Sequence, residues 1–149
     1  MLPFGPKYHL RLIALNMRDY HGSTPYTDEE VADFLNADVE VQTSAVRMFA
    51  RELAQFLEFV CKRLAIPPIK TGSGGPSGGL VCLTWSMSGM GLVSMLGDPA
   101  TLGDEQKAEL SPFLRKVVLY GKTDALYGIA MTEQKLQIPL ASCTVSTRS

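Results

Sequence analysis

Cysteine is scarce in this chain, and its three cysteines follow no recognisable spacing. They are Cys61, Cys82 and Cys143, an odd number without the short intervals that metal ligands show. These observations argue against a disulfide framework and a clustered zinc site. The simplest expectation is a reducing compartment, the cytoplasm, with Cys61 and Cys82 as small core residues. We expect no metal and no cofactor.

An excess of charge and long apolar runs are also lacking. The 14 basic and 15 acidic residues leave a net charge of -1, which gives no electrostatic reason to expect nucleic acid or an acidic membrane as a partner. No apolar run approaches the roughly 20 residues that cross a bilayer, and the charges around the first apolar stretch exclude a signal peptide. What remains is a chain of 149 residues, 46% hydrophobic and 19% charged, which is typical of one globular domain with its own core.

Candidate strands and helices alternate along the chain. The apolar runs Tyr8–Asn16, Gly79–Trp85 and Phe113–Tyr120 predict three strands. The predicted helices run over residues 27–36, 44–64, 89–96 and 105–110. Parallel strands need such long crossovers, so the pattern predicts an α/β fold with a three-stranded parallel sheet and flanking helices. We expect this domain to span residues 1–140, and the weakly patterned residues 141–149 to form a disordered tail.

Two of the helix signals are specific. Thr27 and Glu30 have the spacing of a capping box, and apolar residues recur at helical intervals from Ser44 to Leu64. After this long helix comes the stretch GSGGPSGG, which precedes a predicted strand. A phosphate-binding loop would follow a strand and open a helix, so we interpret the stretch as a flexible linker.

The stretch TWSMSGMG, which begins at Thr84, joins a predicted strand to a predicted helix. A strand, an abrupt turn and a helix form the layout of a nucleophile elbow, which holds a serine clear of the sheet. The register centred on Ser86 places the small residues Thr84 and Ser88 on either side, whereas the rival register places the large Met90 there. We therefore predict Ser86 as the nucleophile and the N–H of Met87 as an oxyanion donor. The alternative is a tight connection without chemistry.

In these residues the chain resembles the α/β-hydrolase superfamily, in particular fungal members with WSMG-like elbows. A second stretch, NMRDYHGS, is similar to the D-x-R-G-x-G-x-S loop of that family. Arg18 and Ser23 match this pattern, Asn16 replaces its aspartate, and Asp19 and His21 replace glycines. The resemblance covers roughly residues 7–119. It implies a partial α/β-hydrolase fold whose parent activity is serine-dependent hydrolysis of an ester or similar acyl bond.

The catalytic base that the resemblance implies is missing. In the family's triad an acid and then a histidine follow the serine, but the two histidines of this chain, His9 and His21, both precede Ser86. His21 is a candidate base, with a solvated loop residue as the alternative. Asp124 is a candidate acid, with a turn or helix-cap residue as the alternative. The resemblance therefore implies a fragment that is inactive alone.

Two functions from different classes are expected. The first is a serine hydrolase that acts on a small ester-like substrate. The second is a non-catalytic α/β remnant that is an interaction module or has no function. A three-stranded sheet would leave backbone groups unpaired at its edges, so we also expect self-association through exposed sheet edges.

Overall fold

The computed structural model describes residues 5–120 and 144–148 of the chain. The helices are α1 (Asp28–Phe34), α2 (Val39–Arg63), α3 (Gly89–Gly97) and α4 (Asp104–Leu110). The strands are β1 (Lys70–Gly72), β2 (Gly75–Ser77), β3 (Leu80–Trp85), β4 (Leu114–Tyr120) and β5 (Thr144–Arg148). The chain is therefore mixed α/β, as its sequence predicts. Within the described ranges, no helix has the length and apolar character needed to cross a bilayer.

The strands β3 and β4 are parallel neighbours, which confirms the predicted pairing of the second and third strands. Val81 lies opposite Lys116, and Trp85 lies opposite Tyr120. The backbone of β5 runs parallel to β4 and falls within the range predicted to be a tail. The expected division into residues 1–140 and 141–149 stays a prediction.

The predicted first strand, Tyr8–Asn16, is wrong. A 3-10 turn covers Pro6–Tyr8, and the following residues form no strand. Leu10 and Leu12 are 56% and 40% exposed. An apolar strand needs a neighbour for its backbone groups, and within residues 5–120 and 144–148 no strand pairs with this segment. The three-stranded parallel sheet that was predicted to begin with Tyr8–Asn16 is therefore not formed.

The predicted helices form, and side-chain caps fix the starts of α1 and α2. Thr27 and Glu30 make the predicted capping box. The helix predicted to begin at Ser44 begins at Val39 instead, because Asp38 Oδ1 accepts hydrogen bonds from the backbone N–H groups of Glu40 and Val41. In the first turn of α2, Val39 and Val41 alternate with polar residues, so helical periodicity alone did not detect this turn.

One hydrophobic core lies between the helices and the inner face of the β3–β4 pair. The largest fully buried side chains in the described part are Leu92, Leu110, Leu114, Val117 and Thr101. Cys61 is buried and Cys82 packs partly buried against this core, as predicted. The contact between α2 and α3 is close. A Cβ built on Gly91 would lie 2.8 Å from Cε1 of Phe49.

The stretch interpreted as a flexible linker has a defined structure. Its residues include β2 and the turn of an antiparallel hairpin, in which Lys70 lies opposite Ser77 and Gly72 opposite Gly75. Gly78 and Gly79 follow with φ angles of 71° and 70°, and the N–H of Gly79 donates a 2.8 Å hydrogen bond to the carbonyl of Pro67. The linker interpretation is wrong for these residues, because the glycines supply left-handed backbone conformations and close packing.

Candidate functional site

Ser86 lies at the carboxyl end of β3 in an unusual backbone conformation. Its φ angle is 55°, in the left-handed region that residues with a Cβ seldom adopt. Its neighbour Trp85 is extended, and a 3-10 turn over Ser86–Ser88 leads directly into α3. The helix α3 begins at Gly89, the first residue of its predicted range 89–96. The strand, the strained and exposed serine and the helix follow one another as the elbow prediction requires.

The side chain of Ser88 closes this turn. Ser88 Oγ donates a 2.7 Å hydrogen bond to the carbonyl of Trp85 and accepts a 3.1 Å hydrogen bond from the N–H of the same residue. The elbow prediction required only that residue 88, two positions after the nucleophile, be small. The structure adds a second reason for a serine, because its hydroxyl ties the end of β3 to the turn. Serine side chains often bond the backbone of a residue three positions earlier in a turn. A serine three residues after the end of the predicted strand is therefore the sequence signal that could have revealed the role of Ser88.

Thr84 occupies the other small position, two residues before Ser86. Its side chain is half-buried on the inner face. Thr84 Oγ1 is shielded from solvent and has no hydrogen-bond partner within the described ranges. A buried hydroxyl without a hydrogen-bond partner lowers the stability of the folded state, so Thr84 is a destabilising residue at this position.

Exposed apolar side chains surround the turn. Trp85, Met87 and Tyr120 are 72%, 60% and 55% exposed, and the rings of Trp85 and Tyr120 meet edge-to-face at 6.4 Å. Met87 is the central residue of the 3-10 turn. The assignment of its N–H as an oxyanion donor stays a prediction.

Arg18, from the loop that resembles the family motif, acts as a structural clamp. Its guanidinium donates hydrogen bonds to both carboxylate oxygens of Glu30, at 2.9 and 2.7 Å, and to Glu52 at 2.7 Å. It also bonds the carbonyl of Pro25 and lies 4.1 Å from the ring centroid of Tyr26. Arg18 therefore joins its own loop to α1 and α2. Glu30 has a second role that the capping-box spacing did not reveal.

Hydrogen bonds, burial and charges in this cluster shift three pKa values. Hydrogen bonding to Glu30 and Glu52 raises the pKa of Arg18, against an opposing effect of desolvation. Hydrogen bonds from Arg18 and from the Thr27 backbone lower the pKa of Glu30 to about 2. Burial, and then the charge of Glu52, raises the pKa of Tyr26. All three groups keep a fixed protonation state near neutral pH, so they are suited to holding the loop and not to transferring protons.

The other candidate residues lie in or beyond this loop. Asp19 accepts a 2.7 Å hydrogen bond from the N–H of Tyr26, so its carboxylate bonds its own loop. His21 is exposed, and its carbonyl accepts a 3.1 Å bond from Asn16 Nδ2. Asp124 lies outside the described residues. In the described part of the chain, no three His, Cys, Asp or Glu side chains are grouped so as to hold a metal ion.

The strain at Ser86 gives a testable expectation. We expect Ser86→Gly to be more stable than Ser86→Ala by about 1 kcal/mol. The Cβ of alanine costs about 1–2 kcal/mol at a positive φ, and the freer unfolded chain of glycine offsets about 0.4–1 kcal/mol of this difference. Both variants remove the hydroxyl, so its interactions cancel in the comparison. Chemical denaturation of the two proteins measures the difference. Equal stabilities, or a more stable alanine variant, would contradict a left-handed Ser86.

Comparison with known proteins adds no family assignment. The chain matches no protein-family model, no curated protein and no solved structure.

Proposed function

We propose that this chain carries the nucleophile turn of an α/β-hydrolase-like fold, with Ser86 as the nucleophile for hydrolysis of a small ester or similar acyl substrate. The observation that carries the proposal is the φ of 55° at an exposed serine between a parallel strand and a helix. Such a conformation costs energy, and strained residues cluster at functional sites. His9, Asp19 and Ala65 also have positive φ, but Ser86 is the one of these four that directly follows a strand and leads into a helix.

The proposed chemistry is acyl transfer to Ser86. The Ser86 hydroxyl attacks the acyl carbon, its proton passes to a base, and the alcohol of the ester leaves with a proton returned by that base. Water then releases the acid from the acyl-serine. The N–H of Met87, at the entrance to α3, stabilises the negative oxygen of the tetrahedral intermediate.

The histidines of this chain are poor candidates for the catalytic base. Its two histidines are His9 and His21, and the exposed loop residue His21 is the weaker alternative to a histidine supplied from elsewhere. Asp124 stays a candidate acid. We therefore propose that the isolated chain is inactive as an esterase. We also propose that it resides in the cytoplasm and needs no cofactor.

An assay with p-nitrophenyl acetate tests this proposal. We expect turnover by the wild-type chain to equal that of Ser86→Ala, because an unactivated serine is a weak nucleophile. Added imidazole supplies a base, and we then expect hydrolysis by the wild type to exceed that by Ser86→Ala. The alanine variant is the matched control for the hydrolysis that imidazole causes by itself.

The remaining outcomes separate the alternatives. Turnover without imidazole that is lost in both Ser86→Ala and His21→Ala would identify His21 as the base and overturn the inactive-chain proposal. No dependence on Ser86, even with imidazole, would overturn the nucleophile assignment.

A non-catalytic interaction module is the second candidate function. The observation in its favour is the set of exposed apolar residues on β3, namely Val81, Leu83 and Trp85, which are 48%, 51% and 72% exposed. Self-association through the sheet edges stays part of this proposal, since β3 is an edge strand of its sheet within the described ranges.

A further inference from the structure

The side chain of Ser88 bonds both backbone groups of Trp85, the last residue of β3. Ser88 Oγ lies 2.7 Å from the carbonyl oxygen of Trp85 and 3.1 Å from its backbone nitrogen. One hydroxyl donates the first of these hydrogen bonds and accepts the second. The bonds therefore close a ring around the turn, and Ser86 and Met87 are the residues between its ends.

The backbone changes direction inside this ring. Trp85 is extended, with φ −124° and ψ 130°, whereas Ser88 is already right-handed helical, with φ −62° and ψ −15°. Between them, Ser86 has a φ of 55° and Met87 has no positive φ. The ring therefore spans the step from strand to helix and contains the one left-handed residue at which that step is made.

The bonds of Ser88 are strong enough to hold that residue in place. A left-handed conformation at a residue with a Cβ persists only where the surrounding structure enforces it. The net stabilisation from a pair of hydrogen bonds is of the same order as the free-energy cost of this conformation. The Ser88 hydroxyl also acts from the right position, because its bonds join the residues on either side of the strained one.

We propose that Ser88 is a positioning residue for Ser86. Its hydroxyl holds residue 86 left-handed and thereby fixes the direction in which the Ser86 side chain leaves the end of β3. The inference rests on the proposed function for the chemistry of Ser86, but not for its conformation. A displacement of about 1 Å can slow a reaction roughly 100-fold, so loss of these bonds slows the reaction at Ser86.

The first test measures the conformation and needs no catalysis. The stability difference expected between Ser86→Gly and Ser86→Ala corresponds to about a fivefold difference in their unfolding equilibrium constants. We expect this difference to disappear or reverse when both proteins also carry Ser88→Ala, because a residue 86 that relaxes to negative φ no longer favours glycine. Chemical denaturation measures both pairs. A difference that Ser88→Ala leaves undiminished would overturn the proposal, as would the absence of any difference with Ser88 intact.

The second test measures the Ser86-dependent part of p-nitrophenyl acetate hydrolysis with imidazole. We expect Ser88→Ala to lower this rate at least about tenfold. Ser88→Thr should keep most of it, since a threonine hydroxyl can also bond a carbonyl three residues earlier. Ser88→Val has nearly the same shape as the threonine variant without the hydroxyl, so this pair decides the matter if Ser88→Ala does not fold. Equal rates in the threonine and valine variants would overturn the proposal.

Ser111→Ala is the matched control. Ser111 Oγ donates a 3.3 Å hydrogen bond to the carbonyl of Ala108, also three residues earlier, and lies before β4, whose first residue is opposite the start of β3. We expect both measurements to be unchanged in this variant, and the same loss as in Ser88→Ala would overturn the proposal. If the wild type shows no Ser86-dependent hydrolysis, the nucleophile assignment fails, and the stability comparison decides whether Ser88 fixes the turn.

Discussion

Gly78→Ala is expected to destabilise the protein strongly, although it adds only one methyl group. The residue has a φ of 71°, and a left-handed conformation costs a residue with a Cβ about 1–2 kcal/mol. A Cβ here would also overlap the carbonyl oxygen of Pro68 and lie 3.0 Å from that of Pro67. Moving the backbone to relieve such overlap adds on the order of 1–3 kcal/mol.

Alanine also restricts the unfolded chain, but this gain is only about 0.4–1 kcal/mol. The losses therefore exceed the gain, and they are large beside a total stability of about 5–15 kcal/mol. Chemical denaturation measures the change. The matched control is Gly74→Ala in the same stretch, where a Cβ meets no atom within 4 Å. Similar small effects of both substitutions would show that Gly78 lies in a flexible linker after all.

Arg18→Met is the second substitution with a large expected effect. Methionine keeps much of the aliphatic stem but removes the ion pairs to Glu30 and Glu52, both at 2.7 Å. The two carboxylates then repel each other without a cation between them, and the loop loses its link to α1 and α2. We expect a clear fall in the melting temperature at neutral pH.

The effect of Arg18→Met depends on pH. The pKa of Glu30 is lowered from an ordinary value of 4.5 to about 2, so the folded state favours the ionised carboxylate. The stability that this shift contributes is fully present above about pH 4.5 and is lost as the pH falls towards 2. Since the bond from Arg18 is the largest cause of the shift, we expect the melting temperatures of wild type and variant to converge in this window.

Lys62→Met is the matched control for this measurement. Its ion pair with Glu109 has a similar length, 2.8 Å, but the two side chains are 68% and 42% exposed, against 21% and 24% for Arg18 and Glu30. Exposed pairs contribute little to stability, so we expect a small change at any pH. A loss as large as that of Arg18→Met would show that the clamp has no special role.

Local signals in the sequence identified the elements whose causes lie within a few residues. The spacing of Thr27 and Glu30 predicted the start of α1, and the apolar stripe after Ser44 predicted most of α2. The small residues on either side of Ser86 predicted a sharp turn, and the positive φ bears this out. In each case the chemistry that fixes the conformation is contained in one short stretch.

Tertiary contacts decided the remaining features. An alternating apolar pattern does not say which strand a segment pairs with, and a high glycine content does not say which groups pack against the glycines. The run Tyr8–Asn16 has the pattern of a strand, yet it pairs with no strand in the described part. The glycines at 78 and 79 were interpreted as flexible, yet the Pro67 and Phe113 carbonyls pack against them. The four hydrogen-bond contacts of Arg18 reach Pro25, Glu30 and Glu52. Their separation along the chain made these contacts impossible to predict from spacing.

The sequence by itself therefore determined the α/β character, the cap of α1, the parallel neighbours β3 and β4 and the turn at Ser86. Only the tertiary structure decided which apolar residues are buried. Val81 and Val117 are the same residue type in neighbouring strands, but one is 48% exposed and the other 1%. The physical reason is that burial depends on what packs on each face of a sheet, and in the described part of this protein the helices pack on one face alone.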